Sequence, residues 1–138
     1  LVQERLMIAL RCAMSLEAAL AWTITYTRER STFGKPLIAN QYTRFKLADI
    51  KTLAAATRAF VDQCVTDHMH GALTADGAAM AKLWASEATT VIDDLLQMFG
   101  GYGYMREYPI ARALADVRPN RIYGGSSEIM KEIISRTL

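Results

Sequence analysis

Glycine and proline are confined to a few short places in this chain, and their distribution limits the fold more than any other feature. Neither residue occurs between Leu1 and Phe33, between Leu37 and His70, or between Ala78 and Phe99. Those stretches are rich in Ala, Leu, Met and Lys, which enter helices at low conformational cost. The breaks fall at Gly34 and Pro36, at Gly71 and Gly77, at Gly100-Gly101-Tyr102-Gly103, and at Pro109, Pro119 and Gly124-Gly125. A chain punctuated this way reads as long helices joined by short turns.

Apolar spacing agrees. Leu6, Leu10, Ala13, Leu20, Ile24 and Thr27 recur at intervals of three, four and seven, which predicts a first helix over 2–30. A second is expected over 41–70, with Phe45, Ala48, Thr52, Ala55, Ala59 and Cys64 on or near its buried stripe. A third covers 75–99. A short helix follows Pro109, where proline suits a first turn. A last runs from Ser126 into Arg136, with Ser126 as N-cap and Glu128 near the positive end of the dipole. No alternating segment of strand length occurs. The expected fold class is all-α: an antiparallel up-and-down four-helix bundle with an additional short helix and a C-terminal helix, as one domain over 1–138.

Composition narrows the function classes. Hydrophobic residues make up 51% of the chain, enough for a core and too much for disorder. A formal net charge of +2 argues against a general nucleic-acid binder. Cys12 and Cys64 make no disulfide framework and suit a reducing compartment. No apolar run is read as approaching the roughly 20 residues of a membrane span. The opening Leu1–Arg5 lacks the basic start and cleavage site of a secretory signal. The missing initiator Met reads as a piece of a longer or processed protein.

Motifs taken singly carry little. Gly101-x-Gly103 starts like a dinucleotide fingerprint, but Arg106 stands where the third glycine belongs and no strand precedes it. A helix stop and tight turn explains it as well as a close backbone approach to a ligand does. Gly124-Gly125-Ser126-Ser127 reads either as an ordinary N-cap or as an anion site at a helix start. His68 lies four residues after Cys64, yet no second pair completes a site, so no metal is expected. Arg28 and Arg30, like Arg118 and Arg121, fit solvated helix ends. Glu4 suits a first helical turn on dipole grounds alone.

Three stretches together go further. Arg28-Glu29-Arg30-Ser31-Thr32-Phe33-Gly34-Lys35 followed by Asn40-Gln41 resembles the R-x-x-F-G-K…Q segment of the acyl-CoA dehydrogenases. Gln97-Met98-Phe99-Gly100-Gly101-Tyr102-Gly103-Tyr104 with Glu107-Tyr108-Pro109 is similar to that family's Q-x-x-G-G-x-G-Y…Y-P stretch. Ile122-Tyr123-Gly124-Gly125-Ser126-Ser127-Glu128-Ile129 resembles its closing motif. Order and separation match, and the resemblance spans the chain as the family's C-terminal domain, without the N-terminal helical and middle β-domains.

The resemblance implies FAD as cofactor, an acyl-CoA thioester as substrate, a trans-2-enoyl-CoA product and an electron-transfer flavoprotein as acceptor. It also implies a homo-oligomer, dimer or tetramer, with FAD at the subunit interface. Location would be cytoplasmic in a bacterium or the mitochondrial matrix in a eukaryote. Most members carry a catalytic glutamate directly after I-Y, where this chain has Gly124, which cannot act as a base. The long-chain and isovaleryl-CoA types instead place the base in an E-R-L sequence that Glu4-Arg5-Leu6 matches. Glu4 is therefore the expected catalytic base, strengthened when an apolar, substrate-filled pocket desolvates it. Arg5, Tyr123 and Gly125 would face substrate. Arg30, Thr32, Gln41, Gln97, Gly100, Gly101, Ser126 and Glu128 would contact FAD. If Glu4 and Arg30 share one straight helix, they stand roughly 39 Å apart and serve different flavins. Two other readings remain open: an acyl-CoA oxidase using oxygen, and a non-catalytic helical oligomerisation module. A chain without its other domains is expected to be inactive.

Overall fold

The computed structural model describes residues 1–138 and is almost wholly helical. Six α-helices follow in order: α1 (Val2–Glu29), α2 (Gln41–Met69), α3 (Ala75–Ala88), α4 (Ile92–Gln97), α5 (Pro109–Val117) and α6 (Ser127–Ser135). Short 3₁₀ segments connect several of them. The all-α expectation holds, and the helix starts at Gln41, Ala75 and Pro109 match the reading from sequence.

Two contiguous cores explain how the helices run. Leu6, Ala9, Cys12 and Ala13 of α1 pack with Val61 and Cys64 late in α2 and with Ala81 and Ala85 of α3. Farther along, Leu16, Ala19 and Leu20 of α1 pack with Leu47, Ile50 and Ala54 early in α2, and with Ile92 and Leu95 of α4. The early part of α1 therefore meets the late part of α2, so the two helices are antiparallel. α1 is the common member of both cores, α5 closes the second core through Ile110 and Val117, and α6 lies on α3.

Four features depart from the sequence reading. The expected third helix is two helices. Thr89, Thr90 and Val91 form a 3₁₀ turn between α3 and α4. The Thr89 hydroxyl donates to the Ser86 carbonyl at 2.6 Å and that of Thr90 to Glu87 at 2.8 Å. Such local bonds compete with the α-helical ladder, and the β-branched run adds crowding.

The stripe assigned to α2 lies on the wrong face. Phe45, Ala48, Thr52, Ala55 and Ala59 are exposed, whereas Thr43, Leu47, Ile50, Ala54, Thr57, Val61 and Cys64 are buried. Alanine and threonine occur all around this helix, so apolar periodicity selects no face. Burial of Thr57 is made tolerable by the Trp84 indole, which donates to its hydroxyl at 3.0 Å.

A two-stranded hairpin, β1 (Ser31–Thr32) with β2 (Lys35–Pro36), follows α1. Its turn residues Phe33 and Gly34 both have positive φ, 52° and 82°, as a tight two-residue hairpin turn requires. Finally, α1 is long and apolar enough to cross a membrane by length and composition alone, contrary to the sequence reading. Its placement between α2 and α3 accounts for that character without a bilayer, since it supplies both cores.

Candidate functional site

The sequence-predicted site residues fall into two groups, one at each end of α1. At its C-terminal end, Arg30 leaves the helix in extended conformation and starts the hairpin that carries Thr32. Gln97 ends α4, and Gly100 and Gly101 open the 3₁₀ segment after it. Arg30, Thr32, Gln97, Gly100 and Gly101 line one cleft of about 520 Å³. The floor is aromatic. Tyr26 stacks on Phe99 with centroids 4.2 Å apart, Tyr108 meets both edge-on, and Tyr102 lies 5.2 Å from Tyr108. The Arg30 guanidinium sits 5.8 Å over the Tyr102 ring, close enough for a cation–π contact.

Nothing lies within 4 Å of where a Cβ would stand on Gly100 or Gly101, so this backbone is open to an approaching group. Gly103 differs, because a Cβ there would stand 2.6 Å from the Leu96 carbonyl oxygen. An open backbone, a cation and aromatic faces together suit a phosphorylated, ring-bearing ligand. Gln41, exposed at the start of α2, does not line this cleft.

At the other end of α1, Glu4 is exposed in the first turn and Arg5 is buried. The Arg5 Nε has no partner within the chain. Glu4, Ile8 and Arg11 are spaced i, i+4, i+7 and share one face of α1. That face meets the turn before α6. A Cβ on Gly124 would stand 2.7 Å from Ile8 Cδ1, and Arg11 Nη1 donates to the Tyr123 hydroxyl at 3.3 Å. The Tyr123 hydroxyl in turn donates to the buried Asn120 Oδ1. Gly124 and Gly125 both have positive φ, 67° and 97°.

Ser126 is the N-cap of α6, its hydroxyl accepting the Ile129 N–H at 3.4 Å. The carboxyl of Glu128 is held below the ordinary range, first by its own backbone N–H and then by the Ser126 hydroxyl. The ordinary capping reading of Ser126 is thus realised, on the same turn that α1 faces.

Three contributors escaped sequence reasoning. Lys82 is fully buried in α3, and its ammonium donates to the Gly125 carbonyl. Glu87 accepts the Ser127 hydroxyl at 2.6 Å and pairs with Arg121 at 3.5 Å. Ile8 fills the space beside Gly124. A signal for Lys82 was present: it lies beside Ala78, Ala81 and Ala85 on the small-residue face of α3, where a charge has no solvent to reach.

A family model described as "Acyl-CoA dehydrogenase, C-terminal domain" matches residues 1–138. The long-chain specific acyl-CoA dehydrogenase of Sus scrofa mitochondria is 47% identical over 100% of the chain, which covers 32% of that protein. An acyl-CoA dehydrogenase of Bacillus subtilis is 42% identical over 97% of the chain and 36% of its own length. The crystal structure of an acyl-CoA dehydrogenase from Geobacillus kaustophilus superposes with a TM-score of 0.96 at 39% identity, covering 99% of this chain and 36% of that one. The chain thus spans about a third of the length of these relatives.

Proposed function

We propose that this chain, which belongs to the acyl-CoA dehydrogenase family, is the C-terminal helical domain of an enzyme that dehydrogenates acyl-CoA thioesters to trans-2-enoyl-CoA, with Glu4 as the base. The observation that carries this reading is the shared face of Glu4, Ile8 and Arg11 against the Tyr123–Gly124 turn. Gly124 offers no carboxylate, and the adjoining helix offers one a single turn before Ile8.

In this reading the Glu4 carboxylate takes the proton from the carbon α to the thioester carbonyl. Arg5, buried beside it with an unmatched Nε, receives an acceptor atom of the CoA portion. Tyr123 and Gly125 bound the substrate, and Ser126 and Glu128 border the cofactor. The cofactor is FAD, which supplies the two-electron acceptor for the β-hydrogen. The cleft of Arg30, Thr32, Gln97, Gly100 and Gly101 suits its phosphate- and ring-bearing part, and Gln41 adds a contact from the start of α2. An electron-transfer flavoprotein receives the electrons.

The two groups of residues cannot serve one cofactor within one chain. Glu4 and Arg30, just past the end of α1, lie roughly 39 Å apart at 1.5 Å per residue. Arg30 then reaches the cofactor of a neighbouring copy, which makes the enzyme a homo-oligomer. The exposed face of α2, with Tyr42 and Phe45 outward, supports such an assembly. Its place is the cytoplasm in a bacterium or the mitochondrial matrix in a eukaryote, a reading that the mitochondrial relative and the bacterial one support.

The test is anaerobic bleaching of the flavin in the intact gene product by a panel of straight and branched acyl-CoAs, beside Glu4→Gln. Rapid bleaching lost in the variant, with FAD retained, supports Glu4 as base. Bleaching that survives moves the base elsewhere. Absence of bleaching in both proteins, with FAD bound, ends the dehydrogenase reading.

A further inference from the structure

Lys82 is the largest fully buried side chain in the molecule. It lies among the buried residues of α3 with Ala78, Ala81 and Ala85, near Cys12 and Arg5 of α1. An ammonium in such a place is costly, because burial removes its hydration. Burial also pushes Lys82 below the usual lysine range, Arg5 pushes the same way, and Cys12 and Glu87 push back. The hydrogen bond it makes is to the backbone carbonyl of Gly125. Five residues on, Glu87 accepts the hydroxyl of Ser127 at 2.6 Å. Helix α3 therefore holds the turn at Gly125 and the first residue of α6 at Ser127, while Ile8 and Arg11 of α1 meet Gly124 and Tyr123. The turn has two successive residues of positive φ and no regular ladder of its own, so its position depends on these outside contacts.

We propose that Lys82 is a positioning residue that fixes the Gly124–Gly125 turn against α1 and so sets where substrate meets Glu4. A methionine would fill nearly the same volume without the desolvation cost, so the fold alone gives no reason for a lysine. The backbone carbonyl of a substrate-facing turn gives one. This inference rests on the dehydrogenase reading for its kinetic part and on geometry alone for its structural part.

The experiment compares native full-length enzyme with Lys82→Met and Lys82→Arg. Three quantities are measured: amide hydrogen exchange over 121–128, turnover per bound flavin with saturating acyl-CoA, and KM. In Lys82→Met the turn exchanges faster and turnover per flavin falls about ten- to a hundredfold, while the melting temperature is held or raised. KM moves less than kcat, because the loss lies in alignment rather than binding. Lys82→Arg, which keeps a cationic donor, recovers part of the turnover. Unchanged exchange in Lys82→Met overturns the proposal, because the turn is then held without the lysine. Faster exchange with unchanged turnover per flavin overturns it too, because the turn's position is then irrelevant to the chemistry. If native enzyme fails to reduce its flavin with any acyl-CoA, the dehydrogenase reading fails, and hydrogen exchange alone decides whether Lys82 anchors the turn.

Discussion

The side chain of Ile8 ends 2.7 Å from the place where a Cβ on Gly124 would stand. The first helix and the turn before the last helix meet there with no room for a side chain between them. Gly124 also has φ 67°, in the left-handed region. Gly124→Ala is therefore expected to lower the unfolding free energy by about 1–2 kcal/mol from backbone conformation, with a further loss from crowding. Ile8→Ala added to it recovers only the crowding part, which a double-mutant cycle in urea separates. Gly124→Glu placed in Glu4→Gln is not expected to restore flavin bleaching, because Ile8 occupies the path of the new side chain.

The separation of Glu4 from Arg30 along α1 makes a second prediction. Subunits carrying Glu4→Gln and subunits carrying Arg30→Ala are each expected to be inactive alone. Co-expressed, they form mixed dimers in which one site draws both native residues and the other neither. Random mixing then restores about a quarter of native activity per flavin. No recovery in confirmed hetero-oligomers argues that both residues act within one chain.

Cys12 is fully buried between α1, α2 and α3. Burial pushes its thiol up from 9.0 to about 11, against the opposing charges of Lys82 and Arg11. The native thiol is expected to resist iodoacetamide at pH 8 and to react only on unfolding, which peptide mass spectrometry reads. Because the folded value is the higher one, the unfolded chain ionises first as pH rises. The stability contribution is whole below about pH 9 and is lost progressively up to about pH 11. Lys82 has the opposite sign, its folded value being lowered. Comparing native protein with Cys12→Ala in urea at pH 8 to 11 isolates the cysteine: the alanine variant loses less stability across that range.

Phe33 is fully exposed at the hairpin tip with φ 52°, a conformation costly for a residue with a side chain. Phe33→Gly relieves that strain, so hairpin stability is expected to be held or raised by about 1 kcal/mol. If the hairpin reaches a neighbouring subunit's cofactor, the same change weakens FAD retention in the assembled enzyme, measured by dialysis. Unchanged retention would place Phe33 outside the contact.

Much of this was legible in sequence because it is local. Helix starts at Gln41 and Pro109 and the cap at Ser126 depend on a few neighbouring residues, and each stands where turn and capping chemistry puts it. The family motifs are equally local, and they named Arg30, Thr32, Gln97, Gly100 and Gly101 before the structure gathered them round one cleft. The failures were also physical. Alanines on every side of α2 hid its buried face. Threonine hydroxyls at Thr89 and Thr90 turned a continuous helical pattern into two helices.

By itself the sequence determined the helical content, the positions of the turns and the family, because propensity, capping and motif spacing act over a few residues. Only the tertiary structure decided which residues meet. It brought the Gly124 turn onto the face of α1 that begins at Glu4, aimed Lys82 at the Gly125 carbonyl, and set the two groups of site residues at opposite ends of one helix. Those relations come from packing between segments distant in the chain, where burial and hydrogen bonding are settled by the whole core rather than by any local run of residues.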